Sequence, residues 1–437
     1  MSGWRSTRGG GAVSLAEAMF RGPAPDGGLY VPAEPLRLDA RAVARASDSF
    51  QETGLAVARA FLGDEVAGPV LEATVAEVLD FPVPLVPLGD GLHVLELFHG
   101  PSLAFKDVGA RFMAALMERL DPEPERTRVV LVATSGDTGS AVAHAFAGRR
   151  RFRVVVLFPA DGVSERQRRL FSTLGGNVAA VAVRGTFDDC QRLVKDAFRD
   201  EAAARLGLTA ANSINVGRLL PQTFYYVEAM RLGGWSEGCA FSVPSGNLGN
   251  LTAGLMAARA GLPVTRLVAA LNRNDAFLRY LDTGTHAPAP SRRTVSNAMD
   301  VGDPSNLERL RHLTRGDPAA LRRDVSAAAF DDDATVACIG RVHRERGYTL
   351  DPHGAVGILG AEAWRGGGGQ GPVVALATAH PAKFPEVVEP ATGEAVAVPP
   401  RMTLALEGEE RIVPLGPHLP ALLELLGDAA AGLEART

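Results

Sequence analysis

The spacing of hydrophobic and polar positions changes near residue 93 of the chain. Before this point, alanine-rich stretches at 39–62 and 64–79 repeat their apolar residues at helical spacing. After it, short valine-rich apolar runs alternate with longer helical patterns, and the runs lie at 129–133, 154–158, 178–183 and 373–377. Continuous apolar runs separated by helices are typical of parallel strands in a sheet that is covered on both faces. The pattern predicts an α/β fold that follows a mostly helical N-terminal part.

The length of the chain indicates how many domains to expect. The 437 residues are about three times the length of a typical ~150-residue domain. We therefore expect a mostly helical region at 1–92, a smaller α/β domain at 93–230 and a larger α/β domain at 231–437.

Charge and composition exclude several classes of protein. The formal net charge is −5, so there is no basic field to hold nucleic acid or an anionic membrane surface. No apolar run reaches the ~18 residues of a membrane-spanning helix, and no secretory signal pattern is present. Three cysteines without a CxxC pair favour neither a disulfide framework nor a metal site. These features predict a soluble cytoplasmic protein.

Lysine is rare in this chain, because only Lys106, Lys195 and Lys383 stand among the 45 basic residues. Arginine keeps its proton in proteins and cannot serve as an amine nucleophile, so each lysine becomes a candidate for amine chemistry. Lys106 directly precedes a helical pattern at 108–120, where the helix dipole and apolar neighbours would lower its pKa. A solvated lysine near a helix start explains the same pattern equally well.

Four further turns follow strands or open helices and carry unusual polar residues. They are Thr134–Gly139 before a helix at 140–147, Ser245–Asn250 between a strand at 239–243 and a helix at 251–260, Thr378–Phe384 after the strand at 373–377, and Asn212–Asn215 with Arg218. Hydroxyls and N–H groups at such positions suit a carboxylate or a phosphate. Each turn alone is also explained as an ordinary helix cap or tight turn. The spacing of the glycines fits neither a dinucleotide nor a Walker-type nucleotide motif.

Taken together, these turns point to one kind of site. Ligands of α/β sheets bind at the carboxyl ends of the strands, so turns that are far apart in sequence can converge there. A neutral lysine, a phosphate cradle and a hydroxyl at a strand end, here Thr378, would supply a Schiff base, an anion site and a partner for a ring nitrogen. The combination predicts pyridoxal 5'-phosphate as the cofactor.

The chain also resembles the longer kind of threonine synthase. The similar segments include LELFHGPSLAFKDVGARFMA at 95–114, SVPSGNLGNLTAGLMA at 242–257 and TAHPAKF at 378–384. The others lie at 14–32, 133–148, 171–198, 212–229, 296–310 and 347–357. The resemblance implies the fold-type-II pyridoxal phosphate architecture, similar to tryptophan synthase β, with two parallel-type α/β domains beside a cleft and an added N-terminal helical part.

The resemblance also implies roles for individual residues. Lys106 would be the Schiff-base lysine and Thr378 the partner of the ring nitrogen. The cofactor phosphate would lie in the loop formed by Gly246, Asn247, Leu248, Gly249 and Asn250. The substrate carboxylate and the ring oxygen of the cofactor would lie near Ser135, Asp137 and Thr138, and the substrate phosphate near Ser213, Asn215 and Arg218. Lys383 is a further candidate for a phosphate contact, and Lys195 is expected on a helix surface.

The reaction implied by the resemblance converts O-phospho-L-homoserine and water to L-threonine and phosphate, with Lys106 moving protons as base and acid. Two alternatives remain open at this point: a related phospho-lyase or dehydratase that releases 2-oxobutyrate, and a ligand-binding protein without catalysis. Ser213 and Arg218 disfavour a dehydratase, and the presence of Lys106 disfavours a non-catalytic protein. We expect a monomer or a homodimer.

Overall fold

The computed structural model of the chain describes residues 3–431. In chain order, its strands are β1 (Trp4–Ser6), β2 (Gly9–Val13), β3 (Tyr30–Pro32), β4 (Leu85–Gly89), β5 (Leu92–Glu96), β6 (Arg128–Ala133), β7 (Phe152–Pro159), β8 (Val178–Val183), β9 (Leu208–Ala210), β10 (Cys239–Pro244), β11 (Val264–Leu271), β12 (Val325–Ala329), β13 (Val373–Ala377) and β14 (Ile412–Leu415).

The helices up to the middle of the chain are α1 (Leu15–Arg21), α2 (Ala40–Ala46), α3 (Phe50–Leu62), α4 (Gly68–Val78), α5 (Lys106–Leu120), α6 (Asp137–Phe146), α7 (Glu165–Ser172), α8 (Phe187–Arg199), α9 (Glu201–Ala204), α10 (Val216–Leu219) and α11 (Thr223–Gly233). The later helices are α12 (Gly249–Ala260), α13 (Ala276–Thr283), α14 (Leu307–Leu313), α15 (Pro318–Asp324), α16 (Asp332–Arg346), α17 (Pro352–Gly366), α18 (Pro385–Thr392), α19 (Pro400–Glu407) and α20 (Leu419–Ala430).

Two largely parallel sheets form the body of the fold. One sheet has six strands in the order β12-β11-β10-β13-β5-β4, in which only β4 runs antiparallel to its neighbour. The other has five parallel strands in the order β14-β8-β7-β6-β9. Every residue of β6, β10 and β13 is buried, as expected for strands covered on both faces. The predicted α/β class is confirmed, and each predicted apolar run forms a strand.

The strands do not follow the expected division of the chain. Four of the five residues of β5 fall within 93–230, but β5 pairs with β13 of the six-stranded sheet. β14 falls within 231–437 but pairs with β8 of the five-stranded sheet. The N-terminal region also contains the three-stranded antiparallel sheet β2-β1-β3 beside its helices. An apolar run predicts a strand but carries no information about the sheet that the strand joins. The domain boundaries therefore stay a prediction, and the two sheets exchange strands across them.

Three helices begin earlier than their apolar patterns predict, and these starts position the site. Lys106, Asp137 and Gly249 are the first residues of α5, α6 and α12, and none of the three helices has a side-chain cap at its N-terminus. Their first N–H groups are therefore left for other partners. No helix within residues 3–431 is long and apolar enough to span a bilayer.

Candidate active site

The loop before α5 is tied to the end of β13. Ala104 and Ala379 form an antiparallel bridge, and the Phe105 N–H donates to the Thr378 carbonyl oxygen at 2.9 Å. The Tyr225 hydroxyl donates to the carbonyl oxygen of Phe105. These bonds place Lys106 next to Thr378, which is buried. The two turns that were predicted to converge here do so.

Lys106 lies in surroundings that favour its neutral form. Its Nζ lies 3.9 Å from Asp137 Oδ2. Burial lowers the pKa of Lys106 to about 8, and the positive charges of Lys383 and Arg218 act in the same direction, whereas Asp137 opposes them. An amine with this pKa is still mostly protonated at physiological pH, but roughly a sixth of it is neutral, on the order of a hundredfold more than for an ordinary lysine, and the neutral form is the one that a nucleophile or a general base requires.

Asp137 is shared between two lysines. Although burial raises its pKa, the charges of Lys383 and Lys106 bring the pKa of this carboxyl well below its usual range. Lys383 Nζ lies 2.5 Å from Asp137 Oδ1 and donates to the Ser102 carbonyl oxygen at 3.2 Å. Lys383 is fully buried. The side chain is enclosed and holds Asp137 in place, and a phosphate contact of Lys383 stays a prediction.

The turn from Thr134 to Gly139 is held by its first hydroxyl. Thr134 Oγ1 accepts from the N–H groups of Gly136 at 2.9 Å and Gly139 at 2.8 Å. Gly136 has φ 141°, and a Cβ there would lie 2.6 Å from the Gln167 side chain, so glycine is required. Ser135 and Thr138 are partly exposed, and their hydroxyls have no partner within the described part of the chain. They are free to bind a substrate group.

The loop at 245–250 has the features of a phosphate cradle. Leu248 adopts a left-handed conformation with φ 60° and leads into the uncapped start of α12. The Tyr226 hydroxyl lies 2.9 Å from Asn250 Oδ1, and Asn250 Nδ2 is a buried donor without a partner among residues 3–431. A buried N–H group is costly unless a ligand satisfies it, and a phosphate oxygen at a helix N-terminus would do so. The residues present therefore fit the phosphate group of pyridoxal phosphate.

The turn at 212–218 contains three predicted phosphate ligands, and the structure separates them. The Asn215 amide donates to the carbonyl oxygens of Met19 and Ala210, and its Oδ1 accepts from Gly217 N–H. Both N–H groups of the Asn215 side chain are thus used to hold the turn, and its contact with a phosphate stays a prediction. Ser213 instead lies against the loop at 245–250, where a Cβ on Gly249 would lie 3.2 Å from Ser213 Cβ.

Arg218 packs against the first turns of α5. A Cβ on Gly109 would lie 2.7 Å from the Arg218 carbonyl oxygen and 3.5 Å from its Nε. Burial lowers the pKa of Arg218 to about 10, so the guanidinium stays charged at neutral pH. Its Nε is buried and has no partner within the described residues, which suits an anionic ligand.

Several residues at the site were not predicted from sequence. Gln167 Nε2 donates to Asp137 Oδ1 at 3.0 Å, and Asn297 Nδ2 donates to Gln167 Oε1 at 3.1 Å. His353, paired with Asp351 at 2.6 Å, accepts from the Ala298 N–H at 3.2 Å. Asn297 lies in the family-like segment 296–310, and Asp351 and His353 lie in 347–357, but the resemblance assigned no role to them. Gln167 lies outside every family-like segment.

The fold and the site together define a class. Residues 82–379 match the family model described as pyridoxal-phosphate dependent enzyme. A processed threonine deaminase from Solanum lycopersicum shares the fold at a TM-score of 0.57 and 19% identity. The chain is a fold-type-II enzyme that depends on pyridoxal phosphate.

Closer relatives define the family. Residues 3–78 and 354–424 match the models for the threonine synthase N terminus and C-terminal part. A threonine synthase from Escherichia coli is 42% identical, with 94% of each chain covered. Crystal structures of threonine synthases from Escherichia coli and, with bound pyridoxal phosphate, from Brucella melitensis both superpose at a TM-score of 0.90. They are 38% and 36% identical, and each covers 98% of this chain and 100% of its own. The chain belongs to the threonine synthase family.

Proposed function

We propose that this chain converts O-phospho-L-homoserine and water to L-threonine and phosphate. The observation that carries the proposal is the position of Lys106 at the start of α5, where burial lowers the pKa of its amine to about 8. Family membership supplies the reaction, because the relatives are threonine synthases. The site residues below are our assignments.

Lys106 is proposed to carry the cofactor and to move protons during the reaction. Bound pyridoxal phosphate supplies an electron sink that makes a proton next to the amino-bearing carbon removable. The Lys106 amine is proposed as the base that takes this proton, and it can return a proton at the carbon that becomes the threonine methyl group. Asp137, held by Lys383 and Gln167, keeps a fixed negative charge beside that amine.

The phosphate groups are proposed to bind at the turns that begin α10 and α12. The loop Gly246–Asn250 is assigned to the cofactor, because Asn250 Nδ2 and the first N–H groups of α12 are free donors there. Arg218 and Ser213 are assigned to the substrate phosphate, since Arg218 Nε is buried without a partner in the described residues. Ser135 and Thr138 are assigned to the substrate carboxylate, and the Thr378 hydroxyl to the ring nitrogen.

A neutral hydroxyl partner such as Thr378 leaves the ring nitrogen less protonated than a carboxylate would, which favours elimination over transamination. We further propose a cytoplasmic location, which suits three buried cysteines that are free thiols. The chain is proposed to act as a monomer or a homodimer.

Product analysis tests the proposal. The protein loaded with pyridoxal phosphate is incubated with O-phospho-L-homoserine, and threonine, phosphate and 2-oxobutyrate are quantified. We expect threonine and phosphate in equal amounts. Release of 2-oxobutyrate without threonine would instead identify a phospho-lyase, and the proposal would be abandoned. Lys195→Met, which changes an exposed lysine of α8, is the matched control and retains the activity.

A further inference from the structure

The Ser213 hydroxyl receives two hydrogen bonds. Asn247 Nδ2 lies 2.8 Å and Asn306 Nδ2 lies 3.2 Å from Ser213 Oγ. A hydroxyl has two lone pairs that accept and one hydrogen that it donates. Both lone pairs are occupied by these amides, so the hydrogen of Ser213 is left for a third partner.

The orientation of both amides is fixed by their neighbours. Asn247 Oδ1 accepts from the Ser305 backbone N–H at 2.6 Å, and Asn306 Oδ1 accepts from Arg309 Nη1 at 2.7 Å. A backbone N–H and a guanidinium can only donate, so each amide must turn its oxygen toward them. Each amide therefore turns its NH2 group toward Ser213, and neither can reverse without leaving two donors face to face.

Arg309 is itself held from several sides. It is fully buried and donates to the carbonyl oxygens of Tyr30 at 3.0 Å, Ser213 at 2.9 Å and Ile214 at 2.6 Å. Tyr30 belongs to β3 of the N-terminal sheet. One guanidinium thus links this sheet, the main chain of the Ser213 turn and the amide that faces the Ser213 hydroxyl.

We infer that Asn306 and Arg309 are positioning residues that make Ser213 an obligate hydrogen-bond donor to a phosphate group. A phosphate dianion has no hydrogen to give and is recognised only by donors. Ser213 also adjoins Gly249 at the start of α12, so the group is a phosphate monoester of either the substrate or the cofactor. The inference rests on the proposed function for the ligand that carries this phosphate.

The decisive variant is Asn306→Asp, compared with Asn306→Ala in the holoenzyme. The aspartate still accepts from Arg309, but it also accepts from Ser213 and draws the hydroxyl hydrogen away from the phosphate. The alanine frees one lone pair of Ser213, leaves its hydrogen available and removes the acceptor of Arg309 Nη1. Both variants lose the bond from Asn306 Nδ2 to the Asn247 carbonyl oxygen at 3.1 Å, so this loss does not distinguish them. We expect Asn306→Asp to weaken phosphate binding by about tenfold or more, the size of a charge-assisted hydrogen bond, and Asn306→Ala to weaken it less than about threefold.

Two sets of measurements distinguish the two sources of phosphate. If Ser213 binds the substrate, the KM for O-phospho-L-homoserine and the Ki of inorganic phosphate rise while kcat and the Kd for pyridoxal phosphate stay constant. If it binds the cofactor, the Kd for pyridoxal phosphate rises and the KM at saturating cofactor does not. Either pattern supports the inference. The Kd for pyridoxal phosphate, and a Kd for inorganic phosphate measured by direct titration alongside its Ki, need no threonine formation, so a failure of the proposed function is recognised separately.

The same variants made in Ser213→Ala test the mechanism. Without the hydroxyl, the difference between aspartate and alanine at position 306 should vanish. An aspartate effect that persists undiminished in Ser213→Ala would assign it to charge alone and overturn the inference. Equal effects of aspartate and alanine in the natural background would also overturn it.

A matched control separates positioning from stability. Asn177 donates to the carbonyl oxygens of Phe146, Arg149 and Phe152, outside the site. Asn177→Asp should lower Tm without raising KM, Ki or the cofactor Kd. Arg309→Lys, which keeps the charge but loses the planar set of donors, should weaken the same binding constant as Asn306→Asp. A fall in Tm alone for Arg309→Lys would refute the role of Arg309.

Discussion

The two ends of the site are built from different kinds of group. At the amine end, which consists of Lys106, Asp137, Lys383 and Gln167, two ammonium groups share one buried carboxylate. The phosphate end consists of Ser213, Asn247, Asn306 and Arg309. There, two neutral amides donate to one hydroxyl, and the Arg309 guanidinium donates to main-chain carbonyl oxygens and to an amide oxygen.

The difference follows from what each end must do. Lys106 must gain and lose a proton, so nearby charges, which shift a pKa, are the effective control. A phosphate keeps its charge throughout and needs only donors, so the direction of each hydrogen bond is the effective control. Charge changes should therefore damage the amine end most, and changes in hydrogen-bond direction the phosphate end.

The largest effect is expected for Lys106→Ala. Loss of the amine removes the proposed base and the attachment of the cofactor, and turnover should fall by at least ~1000-fold, within the range for general acid–base groups. Initial rates of phosphate release measure this directly. Near-normal turnover would remove Lys106 from the mechanism.

Lys383→Met should cause the next largest effect, on stability. Asp137 would lose its nearest counter-charge while remaining buried, and breaking a buried pair in this way costs about 3 kcal/mol or more. Urea unfolding measures the free energy. The double variant Asp137→Asn with Lys383→Met should recover much of the loss, because it removes both charges. A loss below ~0.5 kcal/mol for Lys383→Met would show that the pair is not what holds Asp137.

Gly246→Ala tests the cofactor loop. A Cβ at this position would lie 2.7 Å from Met299 Cα, so the main chain of the loop or of residue 299 must move. We expect a loss of about 1–3 kcal/mol in stability, as for other overpacked sites, with weaker binding of pyridoxal phosphate. Gly427→Ala in α20 meets nothing within 4 Å and should stabilise the protein by about 0.5–1 kcal/mol. Equal cofactor affinity in both variants would contradict the assignment of the loop.

Thr378→Val should have the smallest effect of this series. The change removes the hydroxyl and keeps the shape and the carbonyl oxygen that binds Phe105 N–H. One neutral hydrogen bond contributes about 0.5–1.5 kcal/mol, so the Kd for pyridoxal phosphate should rise by only a few fold. An unchanged Kd and an unchanged absorption spectrum would exclude Thr378 as the partner of the ring nitrogen.

Local patterns predicted most of the fold. The run at 373–377 forms β13, and the run at 129–133 lies within β6. The small sheet β1–β3 was missed, because β2 is the glycine-rich and largely exposed GGGAV, which has neither an apolar run nor an alternating pattern. The partners of β5 and β14 were missed, since pairing depends on residues far away in the chain.

The same limit applies to the site. The rarity of lysine and the helix start singled out Lys106, and the glycine-bearing turn singled out the loop at 246–250. The enclosure of Lys383 by Asp137 and Ser102, and the use of the Asn215 amide for the main chain, depend on contacts between distant segments. The direction of the hydrogen bonds at Ser213 is even harder to predict from sequence, because it is set by donors on Ser305 and Arg309.

The pH dependence of lysine labelling tests the central claim most directly. After removal of the cofactor, the protein is treated with a small amine-selective reagent at a series of pH values, and each of the three lysine-containing peptides is quantified by mass spectrometry. The reagent attacks only neutral amines, so labelling of Lys106 should be half-maximal near pH 8, with Lys195 accessible and Lys383 protected. A midpoint for Lys106 near the ordinary lysine pKa of ~10.4 would contradict the account.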